Sequence, residues 1–373
     1  MVLFRKIKPE QADAIPHAAR NYDSPAGSRL SFQRLESNSR RMAEAKPGII
    51  SEIRPEIKPG IKPEIVSDTE KKEQERNRKK LYDSLVLYME KVFASIRNQQ
   101  KVALEQGFDL VKKITENSFP EDPVFIKAIH HDNLEKYYII HCVNTAIYVV
   151  KMADNLKWPV DKQIEAGVGA LLHDLGMAMV PERIIHKKEA LTEKEYEIIR
   201  NRPYTGNKIL QSFGETYPWL PLCALQAHER IDGSGYPQKL KQDDIHNYAQ
   251  LTGLAGMYEA LIHSRPQGER YLYSSAVKEI IRTKKKSFKN EYLRALLNVF
   301  SIFPLYSYVK LNTDVIGKVI ETYPEQPMRP RIKIIYNIKK SSLVSDEQIV
   351  NLPDNSLLNI IDSVSEREVR GLF

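Results

Sequence analysis

Ala227-His228-Glu229-Arg230-Ile231-Asp232-Gly233-Ser234-Gly235-Tyr236-Pro237 is the stretch on which the reading of this chain turns. Two glycines beside a Tyr-Pro call for a sharp turn made close to something else, because glycine tolerates left-handed backbone and close approach. Upstream stands Leu171-Leu172-His173-Asp174-Leu175-Gly176. An adjacent His and Asp offer a nitrogen and a carboxylate oxygen to one ion, a donor set that suits borderline divalent metals.

Working outward from these segments, residues 123–300 carry helical periodicity almost throughout. Ile140, Val143, Ile147 and Val150 share one helix face, and Ile164, Val168, Leu171 and Leu172 share another, where Gly167 and Gly169 permit close helix contact. Thr192 precedes Glu195 by three residues, the spacing of a capping box. Beyond Phe303 the period changes to two. Tyr308–Leu311 and Val315–Ile320 flank the turn-forming Asn312-Thr313-Asp314, and Arg331–Tyr336 alternates likewise, so the tail reads as a small antiparallel sheet.

Toward the N-terminus, residues 67–122 read as a helical lead-in. Leu81, Leu85, Met89, Val92 and Ile96 form one stripe, Leu104, Phe108, Val111 and Ile114 a second, and Gly107 marks an expected bend. The apolar positions do not sustain a heptad for long, which favours packing on the following domain over a stalk between subunits. Residues 1–66 are rich in Pro, Ser and charge. Their repeat Ile53-Arg54-Pro55-Glu56, Ile57-Lys58-Pro59-Gly60, Ile61-Lys62-Pro63-Glu64 blocks helix and predicts a disordered, semi-rigid spacer arm that could also dock a partner. The fold class is therefore mainly α: a helical lead-in, a helical bundle over 123–300 and a small antiparallel β subdomain over 301–373.

Of the 373 residues, 42% are hydrophobic and 28% charged, ample for a sizeable core. Cys142 and Cys223 make neither a disulfide framework nor a thiolate cluster, and a cytoplasmic setting fits them. Charge and proline arrive too early in Met1–Pro9 for a signal peptide, and no apolar run approaches the ~20 residues of a membrane span. The net charge of +8 suits either surplus surface lysine or an anionic partner. Nucleic acid fits poorly, since the basic residues are dispersed and no stacking platform is visible.

The His-Asp pair, the eleven-residue loop and their order along the chain resemble the HD-GYP family of bacterial cyclic-di-GMP phosphodiesterases, over about Asn133 to Leu352. The resemblance includes Tyr138–Asn144, Val180–Ile185, Gly206–Leu210, Phe303–Leu305 and Met328–Pro330. It implies an HD-type bundle and a metal site at His141, His173, Asp174 and His228, with Asp174 bridging two ions. It further implies that Asp232, Gly233, Gly235, Tyr236 and Pro237 contact a partner or substrate together with Arg265.

Several implied positions are altered. Met177 stands where the family has a phosphate-binding lysine, and a thioether can neither donate a hydrogen bond nor carry charge. Arg202, Ala227 and Gly256 stand at three further ligand positions. His141, His173 and Asp174 can still hold one Fe or Mn ion. Asp174 and His228 are too few for a second, and catalysis in the family rests on paired ions. Glu259, one helical turn after Gly256, either reaches an ion or replaces the aspartate of the family's Tyr-Asp-Ala-Leu run. Arg202, Arg230 and Arg265 could assemble an anion site.

The expectation is a catalytically degenerate signalling protein, with Asp174 as a catalytic remnant and at most one weakly held divalent metal. It would act by binding cyclic-di-GMP or a signalling protein through the Gly-Tyr-Pro loop or the arm. The alternatives are an active phosphodiesterase with an altered or mononuclear site, and a pure interaction scaffold.

Overall fold

The first described helix, α1 (Asp68–Arg97), presents Leu81, Leu85, Met89, Val92 and Ile96 as one buried stripe. Each such side chain contributes about 1.5–3 kcal/mol on leaving water. The computed structural model describes residues 68–372 apart from 117–121, 132, 188, 266–269, 324–325 and 345–347. The proline-rich arm expected over residues 1–66 lies outside the described residues. All described residues belong to one compact unit.

The stripe of α1 packs within the chain, along α3 (Pro123–His130) and α4 (Tyr137–Asn155), with α2 (Leu104–Thr115) beside it. The expected bend at Gly107 is corrected. The chain leaves helix earlier, between Arg97 and Leu104, and Gly107 sits inside α2. Its role is close approach: a Cβ there would lie 2.7 Å from the Tyr88 hydroxyl.

Helix α4 is the axis of the bundle. From Ile140 to Val150 every residue is buried, the pattern of a helix surrounded on all sides. It packs on α5 (Val160–Leu172), whose Gly167 and Gly169 let Val111, Val150 and Cys223 press against its backbone. After a 3-10 turn at Leu175–Met179 come three short helices: α6 (Glu182–Ile185), α7 (Glu193–Arg200) and α8 (Arg202–Leu210). Thr192 and Glu195 form the capping box of α7. Then α9 (Trp219–Gln226), the signature loop and α10 (Asn247–Ile262) close the bundle, with α10 against α4 and α5. Helices α11 (Tyr273–Lys284) and α12 (Asn290–Val299) complete it. No helix among the described residues is long and apolar enough to cross a membrane.

The C-terminal sheet is antiparallel throughout. It comprises β1 (Tyr308–Leu311), β2 (Val315–Glu321), β3 (Arg331–Asn337), β4 (Ser342–Leu343), β5 (Ile349–Asn351) and β6 (Ile360–Val364), in the order β4-β3-β2-β1-β6 with β5 also on β3. The expected hairpin turn places Asp314 at φ 59°. Val309, Leu311, Val319, Ile332 and Ile334 alternate inward to make a small core of their own with Phe303 and Leu352. A short helix, α13 (Glu366–Arg370), follows. The sheet is tied to the bundle where His130 Nε2 donates to the Leu305 carbonyl (2.7 Å) and Ser274 meets Ser363 (2.8 Å).

Candidate metal centre

His173 caps the C-terminus of α5, and Asp174 opens the 3-10 turn. The His173 Nδ1–H donates to the Ala170 carbonyl at 2.7 Å, which leaves Nε2 as the lone-pair nitrogen. Burial draws its pKa down to about 4, so the ring is neutral at physiological pH. His141 projects from the middle of α4 and gives its Nδ1–H to the Glu259 carboxylate of α10. Again Nε2 is left for an ion. Both rings thus have the tautomer a metal ligand needs, each fixed by the partner of the other nitrogen. Among the described residues, His141, His173 and Asp174 place one donor atom each within 4.8 Å of one another, and all three are buried.

Glu259 does not reach toward an ion. One oxygen takes the His141 proton. The other accepts from Asn144 Nδ2 at 3.1 Å and has His263 Nδ1 at 3.1 Å. Burial alone would raise its pKa, but His141 and His263 hold it well below the usual carboxylate range. With an ion on His141 Nε2, it would be the carboxylate of a carboxylate–histidine–metal arrangement. Gly256, one turn earlier, leaves space instead of a ligand. A Cβ there would make ordinary contact, 3.6 Å from His141 Nε2.

The other side of Asp174 is occupied by a cation. Arg202 Nε donates to Asp174 Oδ1 at 2.7 Å, and both side chains are largely buried. Gly176 makes this contact possible: a Cβ on it would stand 2.0 Å from the Arg202 carbonyl oxygen, so only glycine lets the start of α8 sit on the turn. Burial pushes the Asp174 carboxyl up, yet Arg202, with His228 nearby, holds it well below its ordinary value. His228 Nε2 lies 3.7 Å from the same oxygen, buried and without a hydrogen bond. Burial and the adjacent Arg202 draw the His228 pKa down to about 3.

These residues fit one ion, at His141, His173 and Asp174. They do not fit a second. A bridging carboxylate would have to release Arg202, and a dication about 4 Å from a guanidinium is repelled by roughly 8 kcal/mol at an effective dielectric near 20. Ala227 and His228 offer one imidazole in compensation.

The signature loop is held from within. Glu229 is 2% exposed and accepts the backbone N–H groups of Gln238 (2.5 Å), Lys239 (3.1 Å) and Leu240 (3.1 Å). Gly233 takes φ +78°, and a Cβ on Gly235 would lie 2.4 Å from Glu229 Cα. Asp232 accepts from Ser234 N and Ser287 Oγ. Tyr236, next to Pro237, stacks on His228 with ring centroids 5.1 Å apart and planes 4° apart, and Arg200 lies over its ring.

Two of the three arginines expected at an anion site are engaged within the chain. Arg202 serves Asp174, and Arg230 donates to the Ala227 and Glu229 carbonyls while lying on Phe288. Arg265 acts on the hydroxyls of Tyr137 and Tyr138, and Arg202 acts on that of Tyr138 as well. Met177 is fully buried in the main core. Sequence reasoning missed the supporting roles of Asn144 and His263. The available signal was spacing: Asn144 lies one turn after His141, and His263 one turn after Glu259.

With this geometry in hand, known proteins place the chain. The HD domain family profile matches residues 124–291, and the profile of a KOW domain associated with HD domains matches 308–372. Residues 124–291 thus match an HD domain, followed by the KOW domain that accompanies it.

Cyclic di-GMP phosphodiesterase PdeB of Borreliella burgdorferi is 29% identical over 310 residues, 81% of this chain and 82% of that protein. Cyclic di-GMP phosphodiesterase PA4108 of Pseudomonas aeruginosa is 26% identical over 70% of this chain and 63% of its own length. The structure of Bd1817, an HDG"Y"P protein from Bdellovibrio bacteriovorus, superimposes with a TM-score of 0.52 at 18% identity, over 62% of this chain and 74% of that one, which speaks to the fold.

Proposed function

We propose that this chain is an HD-GYP protein whose paired-ion hydrolytic centre has degenerated to a single-ion site, and that it acts in signalling by binding. The observation that carries this is the buried Arg202–Asp174 ion pair at 2.7 Å, which sets a fixed positive charge where the second ion of such a centre would share the carboxylate. His141, His173 and Asp174 would hold one Fe or Mn ion, which supplies Lewis acidity and lowers the pKa of bound water. Without a second ion, and with Met177 inside the core, nothing clamps both the attacking and the leaving oxygen.

The bound species follows from relatives named for cyclic di-GMP and from the net charge of +8: a cyclic dinucleotide, held near Arg265 and the loop of Asp232, Gly233, Gly235, Tyr236 and Pro237. The same loop is the surface for a protein partner.

Purified full-length protein supplied with Mn(II) and Fe(II) is expected to retain at most one ion per chain by elemental analysis. It is expected to show no cyclic-di-GMP turnover near the ~1 per second of an ordinary enzyme. Two ions per chain with such turnover would overturn the reading. The intact three-donor set favours a second reading, hydrolysis at one ion, which turnover at a single equivalent would establish. Calorimetric titration with cyclic-di-GMP separates a nucleotide receptor, which gives saturable heat and a raised Tm, from a scaffold, which gives neither.

A further inference from the structure

Helix α1 carries none of the candidate ligands, yet it touches both segments that do. At its middle, the fully buried Tyr82 donates its hydroxyl proton to Asn144 Oδ1 at 2.8 Å. The Asn144 amide then gives Nδ2–H to Glu259 Oε1 at 3.1 Å, and the second Glu259 oxygen takes the His141 Nδ1–H. At its end, Arg97 donates to the Ala178 carbonyl (3.2 Å) and to Glu182 (2.8 Å), on and just after the turn that begins at Asp174.

The orientation of the Asn144 amide decides what Glu259 sees. With Oδ1 held by a hydroxyl, the amide presents a donor to the carboxylate. Turned over, it would oppose two acceptors. Burial pushes the Tyr82 pKa far up, so its hydroxyl remains a donor at every working pH. Tyr82, Asn144 and Glu259 are all 0% exposed, so water has no access to replace a missing link.

We propose that Tyr82 is a positioning residue for His141, acting through Asn144 and Glu259, so that ion affinity at the centre depends on how α1 is seated. This rests on the single-ion reading above. Its consequence is regulatory: a displacement of the lead-in helix reaches the centre through hydrogen bonds rather than through the ligands' own helices. A space-filling role for the Tyr82 ring, which lies against Lys127 and His131, is the competing account.

Tyr82→Phe keeps that ring and removes only the hydroxyl. In metal-free protein with 15N-labelled histidine, the His141 Nδ1–H signal is expected to move and to exchange faster with water in Tyr82→Phe. Affinity for Mn(II) by calorimetry is expected to fall about 3- to 10-fold, less than the 10- to 100-fold typical of a group bonded directly to a ligand. Leu87→Ala, at an exposed position of the same helix, is expected to change neither. Unaltered His141 ring signals and unaltered affinity in Tyr82→Phe would overturn the proposal. If the unsubstituted protein takes up no ion, the single-ion reading fails while the ring signals still decide the role of Tyr82.

Discussion

The two sides of Asp174 have met different fates. On the His141 side the ligands, their tautomers and the carboxylate behind them are all in place: Glu259 orients His141, and Ala170 orients His173. On the His228 side, Arg202 sets a cation against Asp174, Ala227 offers no donor, and His228 Nε2 lies buried 3.7 Å from Asp174 without a hydrogen bond. An ion on that side would have few donors to outweigh the repulsion of Arg202. The His141 half has supporting hydrogen bonds from Glu259 on α10 and the Ala170 carbonyl on α5.

The strongest way to break this contrast is to rebuild the missing half. Arg202→His and Ala227→His, with Gly256→Asp adding a donor beside His141, are together expected to raise the metal content from one ion per chain to two, measured by elemental analysis. The space at Gly256 accepts a Cβ without displacing His141. A count that stays at one would mean that more than donor loss separates the two sides.

Next in size, Asp174→Ala strips the buried Arg202 of its counterion. It is expected to destabilise the fold by about 3–5 kcal/mol in urea unfolding, because it leaves a charge uncompensated in the interior. Asp174→Ala together with Arg202→Leu is expected to recover most of that loss.

The smallest effect is a pH dependence. The folded-state pKa values of His173 (about 4) and His228 (about 3) lie below the unfolded value near 6.5. The unfolded chain therefore binds more protons below pH 6.5. Stability from the neutral rings is complete above that value and declines as pH falls toward 4, by up to about 1.4 kcal/mol per pH unit for each ring. His228, which faces Asp174, Arg202 and Tyr236, accounts for one of the two protons. His228→Gln is expected to make the decline between pH 6 and 4 shallower, as read from urea midpoints at each pH.

Much of the fold was legible because its cause is local. The inward alternation of Val309 and Leu311, the capping box at Thr192 and the stripe from Leu81 to Ile96 each follow from a spacing. Strand β6 was not read: its sequence Ile360-Ile361-Asp362-Ser363-Val364 lacks alternation, and it forms only because β1 offers an edge. At the site, the ligand set was visible as residue types in order. What Arg202 does there was not, since a basic residue at a lost ligand position is compatible with solvent exposure. Only the approach of α8 onto Gly176 turns it inward. Glu259 was equally ambiguous, because which of two helical neighbours faces an ion depends on the rotation of α10.

The three amide protons gathered by Glu229 have a consequence for how the molecule meets other proteins. A surface loop clasped by its own carboxylate owes nothing of its shape to a neighbouring cation. The Gly-Tyr-Pro loop is therefore expected to keep its shape whether or not an ion is bound beside it.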